Sequence, residues 1–138
     1  MENDEARQIL NEIGNLLAKD EDYPSENTLL YAQLDYNAVS ESIFKELGNQ
    51  ILYRDPVNEH LPDVLLDLWE IPESDKRWAE MEYVYRDGQF QVTYIYADEI
   101  DPEDDFFERR DRAVRRHLGE KPIVYPPWPE DDVPNYDL

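Results

Sequence analysis

The sequence predicts an α+β fold: one domain in which helices pack on one face of an antiparallel sheet of about five strands, in the order α-β-β-β-α-β-β-α. Three observations predict it. Asp87-Gly88 stands between two alternating runs, and a two-residue Asp-Gly loop is a strong hairpin signal because a type I′ turn needs positive φ at both positions. Apolar stripes at helical spacing alternate with strand-like runs along the chain. The length, 138 residues, suits a single domain with a real core.

The hairpin Trp78 to Asp98 is the stretch the chain is organised around. Its turn sets Tyr85 opposite Phe90, Tyr83 opposite Val92, Met81 opposite Tyr94 and Ala79 opposite Tyr96. All of these fall on one face. Glu80, Glu82, Gln91 and Thr93 fall on the other, with Val84 and Ile95 among them. A one-residue slip would scatter both sets. The hairpin is therefore expected at the centre of the sheet, with one face buried.

Taken in order, residues 3–18 read as an amphipathic helix with Ile9, Ile13, Leu16 and Leu17 on its inner stripe. Gly14 within it costs about 1 kcal/mol relative to alanine. Residues 29–36 read as a strand with Leu30, Ala32, Leu34 and Tyr36 on one face. Residues 40–47 and 50–54 form a second hairpin around Gly48-Asn49, with Phe44 opposite Tyr53; its apolar sets are less pure, which places it nearer a sheet edge. Asn58 is a candidate cap for a second helix that tolerates Pro62 in its first turn and carries Leu61, Val64, Leu65, Leu68 and Trp69 as its stripe. After the central hairpin comes an acidic loop, then a helix over about 104–118 with acids first and arginines last, as the helix dipole favours. Pro122, Pro126, Pro127, Pro129 and Pro134 dominate the end of the chain. This divides it into a domain at 1–122 and a Pro-rich acidic tail at 123–138.

Charge is the strongest compositional feature. Asp and Glu number 34 against 13 Lys and Arg, a formal net charge of −21. The 12% aromatic content and the clean periodicities argue for a folded body rather than disorder. Such a body repels nucleic acid and anionic membranes and attracts basic partners. There is no cysteine, so neither a disulfide framework nor a thiolate metal site is possible. The acidic N-terminus lacks a signal-peptide pattern, and no apolar run is long enough to span a bilayer. The chain reads as cytoplasmic.

Motifs for catalysis are missing. His60 and His117 lie far apart with no motif around either. The acidic loop fails as a calcium loop, because the ligand positions counted from Asp98 fall on Ile100 and Pro102 and the central glycine is absent. No glycine-rich phosphate loop is present. The expectation is a protein that is not an enzyme and uses no metal or cofactor. The arginines between Arg109 and Arg116 suggest a nucleic-acid helix, but the six acids at 98–105 directly before them favour internal counter-charges.

From Trp78 the chain carries Asp87-Gly88, Phe90, Val92, Tyr96 and Asp98, then Glu108-Arg109-Arg110, Leu118-Gly119 and Pro122. Over residues 78–122 it resembles the YezG/EsaG-type bacterial immunity proteins, an antitoxin family. Members show a tryptophan-started strand, a tight glycine turn, a "GKF…YD" strand and an ER-containing helix that closes before a proline. The earlier residues agree with it in element order. The resemblance implies a cytoplasmic bacterial immunity protein that binds and neutralises a secreted or contact-delivered toxin, often a nuclease. Such toxins are basic where they hold phosphate, and an acidic surface can block that site. The resemblance marks no catalytic residue.

The residues expected to face a basic toxin are Asp98, Glu99, Asp101, Glu103, Asp104 and Asp105 of the loop. Trp78, placed on the polar side of its strand, joins them, with Trp128, Glu130, Asp131 and Asp132 of the tail. The competing readings are an acidic chaperone or adaptor for a basic secreted partner, and a DNA mimic whose carboxylates imitate phosphates. No direct contact with nucleic acid or membrane is expected.

Overall fold

The computed structural model of the chain describes residues 4–19, 26–35, 38–54 and 60–125. Its elements are α1 (Asp4–Leu17), β1 (Thr28–Leu34), β2 (Val39–Glu46), β3 (Ile51–Arg54), α2 (Leu61–Glu70), β4 (Glu80–Arg86), β5 (Gln89–Ile95), α3 (Phe106–Leu118) and β6 (Ile123–Val124). Single 3-10 turns lie at Ser74–Lys76 and Ala97–Glu99. The strands form one sheet in the order β5-β4-β1-β2-β3-β6. Helices and sheet make one α+β domain, and most of the sheet is antiparallel.

The turn chemistry sets the hairpin register as expected from Met81 to Tyr94; the expected Ala79–Tyr96 pair does not form, because the ladder ends at Glu80–Ile95 and the Ala79 N–H donates to the Ile95 carbonyl at 2.8 Å. Asp87 and Gly88 take φ of 56° and 72°, and Tyr85 pairs with Phe90, Tyr83 with Val92 and Met81 with Tyr94. The second hairpin pairs Phe44 with Tyr53. The stripe of α2, from Leu61 to Trp69, is buried at each of its five expected positions. His60 holds the N-cap position of that helix; Asn58 and Tyr36 lie outside the described residues.

Three expectations are corrected. Helices cover both faces of the sheet, not one. On the first face, α1 and α2 pack against Leu30, Ala32, Leu34, Ile43, Met81 and Tyr83. On the second, Ala113, Val114 and Leu118 of α3 pack against Leu29, Tyr31, Phe44, Ile51 and Val84. The arm after β5 leads the chain onto the second face, where Ile100 and Asp104 lie beside Thr93 and Ile95, and α3 buries a narrow apolar stripe there. The first hairpin is also not central: β5 is an edge strand, and β1 and β2 hold the middle. The physical reason lies in β1, whose sequence TLLYAQL is apolar at both parities and is buried on both faces. Finally, among the described residues the sheet has six strands, and the sixth is parallel. Ile123 and Val124, at the start of the stretch read as tail, pair with Ile51 and Leu52, and the Ile51 N–H donates to the Pro122 carbonyl at 2.9 Å.

Candidate functional site

Two polar features stand out, one turned inward and one outward. The inward one lies between the second face of the sheet and α3. Glu80 and Glu82 project from β4 on alternate positions, so both meet the helix rather than water. Glu80 is fully buried. The guanidinium of Arg109 donates to it through Nη2 at 2.8 Å and through Nε to both carboxylate oxygens at 3.2 Å. The Tyr31 hydroxyl donates to the same carboxylate. Burial, with Glu80 beside it, pushes the Tyr31 phenol well above its ordinary value.

Glu82 is also buried. It accepts from Arg116 Nη2 at 2.5 Å, and His117 Nε2 lies 2.6 Å from its other oxygen. Burial alone would raise its carboxyl, but the His117 and Arg116 contacts outweigh that and hold it below its ordinary value. Arg112 pairs with Asp104 at 2.5 Å. Arg110 lies under an aromatic cover, with its guanidinium 5.4 Å from the Phe44 ring and 5.0 Å from the Phe107 ring, and it donates to Ser42 Oγ at 3.1 Å. Arg86 donates to the His117 carbonyl at 2.5 Å and ties the hairpin turn to the C-terminal end of α3. The arginine-rich helix is thus an internal counter-charge for strand carboxylates. The sequence reading named Arg109–Arg116 as candidates for that role but missed Glu80 and Glu82 as their partners. A cleft of about 470 Å³ opens between Thr93 and Ile95 of β5 and this ion-pair layer. Of its charged walls, Glu80, Glu82 and Asp104 pair with Arg109, Arg112, Arg116 and His117, and Glu99 accepts the Tyr96 N–H.

The outward feature is the arm from Ala97 to Asp105. Its backbone is held by its own turns: Glu99 N–H to the Tyr96 carbonyl at 2.9 Å, Ile100 N–H to the Ala97 carbonyl at 3.2 Å, and Asp104 N–H to the Asp101 carbonyl at 2.9 Å. The Glu99 carboxylate accepts the Tyr96 N–H, and the Asp101 carboxylate accepts the Glu103 N–H. Asp98, Glu99, Asp101, Glu103 and Asp105 are exposed. Asp104 differs: it is half-buried, pairs with Arg112, and its carbonyl accepts from Arg109 at 2.6 Å. The arm therefore presents five of its six acids to solvent and keeps one for α3.

Trp78 is not at the surface. It is 3% exposed and packs on Tyr94, the rings tilted by 33° with centroids 5.5 Å apart, within the α1–α2 core. Strand alternation does not extend to it, because β4 begins at Glu80 and Ala79 is a bend. The Trp69 indole N–H holds its carbonyl at 2.7 Å. Trp128, Glu130, Asp131 and Asp132 lie outside the described residues. Among the described residues, no cluster of three or more His, Asp or Glu is placed to hold a metal, and no helix is long and apolar enough to cross a membrane.

The two placements missed in the sequence had a signal. Val84 and Ile95 stand among the polar positions of the hairpin, and β1 is apolar at both parities. Together these mark a covered second face and hence buried glutamates. A scan against models of known protein families finds no match for the chain, and no curated protein matches it either.

Proposed function

We propose that the protein is an immunity protein: a cytoplasmic bacterial antitoxin, itself without enzymatic activity, that binds a basic toxin domain, in the first instance a nuclease, and blocks its substrate site. The observation that carries this reading is the division of charge. The arginines of α3 are spent mainly on buried or half-buried partners, Glu80, Glu82 and Asp104, while the arm keeps five carboxylates in water at the end of a strand. A folded body of net charge −21 with an anchored acidic arm suits a partner that is basic because it grips phosphate. The resemblance over residues 78–122 points the same way.

The test is inhibition. Where the neighbouring gene encodes a toxin domain, that domain is purified folded and active, and its nuclease activity is followed as the protein is added. Loss of activity at stoichiometric amounts supports the reading. Binding only to the unfolded toxin chain makes the protein a chaperone. Inhibition of several unrelated DNA-binding proteins makes it a DNA mimic. No binding to the folded domain sinks the immunity reading.

A further inference from the structure

We propose that the outer edge of β5 takes an extended strand from the basic partner, running antiparallel to β5, with lysine or arginine residues just N-terminal to the paired segment. The inference deepens the reading above and rests on it for the basic character of the partner.

The first observation is the edge itself. β5 pairs with β4 on one side, and among the described residues no strand pairs with it on the other. In a two-residue hairpin the residues flanking the turn exchange hydrogen bonds, so Gln89, Gln91, Thr93 and Ile95 bond to β4. The N–H and C=O groups of Phe90 and Val92 then point away from the sheet. Proteins usually blunt such an edge with charge, proline, a bulge or shortness. β5 has none of these. Its seven residues, QFQVTYI, include no charged residue and no proline, and its pairing with β4 is continuous from Gln89 to Ile95. The opposite edge, β6, is only two residues long.

The second observation is the lateral shape. Phe90, Val92 and Tyr94 are half-buried against the α1–α2 layer. A cleft of about 450 Å³ lined by Asn11, Gln89 and Phe90 lies at one end of this row. A cleft of about 430 Å³ lined by Leu68, Trp78, Tyr94 and Tyr96 lies at the other. Phe90 and Tyr94 are four residues apart, about 14 Å along a strand. An added strand presents every second side chain to this face, so two of its residues spaced by four reach the two clefts. Main-chain bonds supply the attachment and the clefts supply selection. The apolar cleft lies at the Tyr94 end.

The third observation is charge, and it selects the occupant. β5 runs directly into the arm, whose Asp98, Glu99, Asp101 and Glu103 are exposed. Antiparallel pairing, the more stable arrangement per residue, brings the N-terminal end of the incoming strand to this point. The residues that precede its paired segment therefore meet carboxylates and are basic. A second copy of this chain would instead bring together two bodies of net charge −21.

The probe is a synthetic peptide with a short lysine tract followed by alternating valine and threonine, mixed with the full chain. Amide exchange of Phe90 and Val92 is expected to slow about tenfold or more on binding. A control peptide with the lysines after the strand should bind about tenfold more weakly. Gln91→Lys changes an exposed side chain and places a cation on the edge, and it should weaken binding to a similar degree; Val92→Pro, which removes an outward donor, should do the same. If Phe90 and Val92 exchange unchanged while only the arm responds, the proposal fails. Self-association of the protein through β5 also overturns it. The inhibition test above is independent: the peptide can dock while the toxin is not inhibited, which sinks the immunity reading and leaves the edge assignment standing.

Discussion

Arg109 and Glu80 form a bidentate ion pair across the interface between α3 and the sheet, with the carboxylate fully buried and the arginine side chain 14% exposed. Removing one partner leaves the other charge in a dry place. Arg109→Met is expected to destabilise the fold by about 3–5 kcal/mol in urea unfolding. Glu80→Met combined with Arg109→Met should recover most of the loss, because an apolar pair suffers no desolvation. Full recovery is not expected: the Tyr31 hydroxyl loses its acceptor, at a cost of about 1–3 kcal/mol. If the double variant is no better than the single one, the pair is not what couples α3 to the sheet.

Glu82 predicts a pH dependence with a definite sign. Its folded-state carboxyl lies below the ordinary value of 4.5 because His117 and Arg116 outweigh its burial. A depressed carboxyl contributes stability above its unfolded pKa and loses it as pH falls through the folded pKa. The stability gap between the wild type and Glu82→Gln should therefore be full above about pH 4.5 and shrink as the solution is acidified below it. Paired urea titrations across that range check this; a gap that stays constant into acid would show that Glu82 is not titrating against these partners.

Gly14 and Tyr83 predict a reversed sign for an ordinary substitution. On helix propensity alone, Gly14→Ala would stabilise α1 by about 1 kcal/mol. A Cβ at position 14 would stand 2.8 Å from the Tyr83 hydroxyl oxygen, and that hydroxyl is held by its bond to the Leu10 carbonyl at 2.8 Å. Gly14→Ala is expected to destabilise by about 1–3 kcal/mol through overpacking. In a Tyr83→Phe background the penalty should largely vanish. A double-mutant cycle by thermal unfolding measures the coupling; additive effects would mean that the close approach is relieved elsewhere.

The arm separates into two roles that one experiment can resolve. Asp101 and Glu103 are exposed, so reversing both to Lys should change thermal stability little, the loss being the solvent-exposed bond from the Glu103 N–H to the Asp101 carboxylate. It should slow association with the toxin domain strongly at low salt and less at high salt, since screening acts over about 10 Å at 0.1 M. Asp104→Ala should do the opposite. Its pair with Arg112 is partly exposed, so stability should fall only slightly, as solvent screens such a pair, with little change in association rate. An arm reversal that lowers stability and leaves association untouched would move the interface elsewhere.

Local chemistry alone determined much of this protein. Asp87-Gly88 set the hairpin register because positive φ at both residues admits one turn type, and that register carried Tyr85–Phe90 and Tyr83–Val92 with it. The stripe of α2 and the stop of α3 at Gly119, with φ of 95°, were equally legible. Five acids of the arm stay in solvent, as a run of charges after a strand suggests, while Asp104 turns inward to Arg112. Tertiary structure decided the rest. Alternation assigns Glu80 and Glu82 to a face but not to solvent; only the return of α3 across that face buried them and gave the arginines their partners. Trp78 left the strand pattern because a bend at Ala79 turned it into the α1–α2 core. Gly14, a local weakness in a helix, was required by a tyrosine far along the chain. Strand order was decided by competition for burial: β1, apolar on both faces, took the middle, and β5 was left at the edge, with no further strand beside it among the described residues.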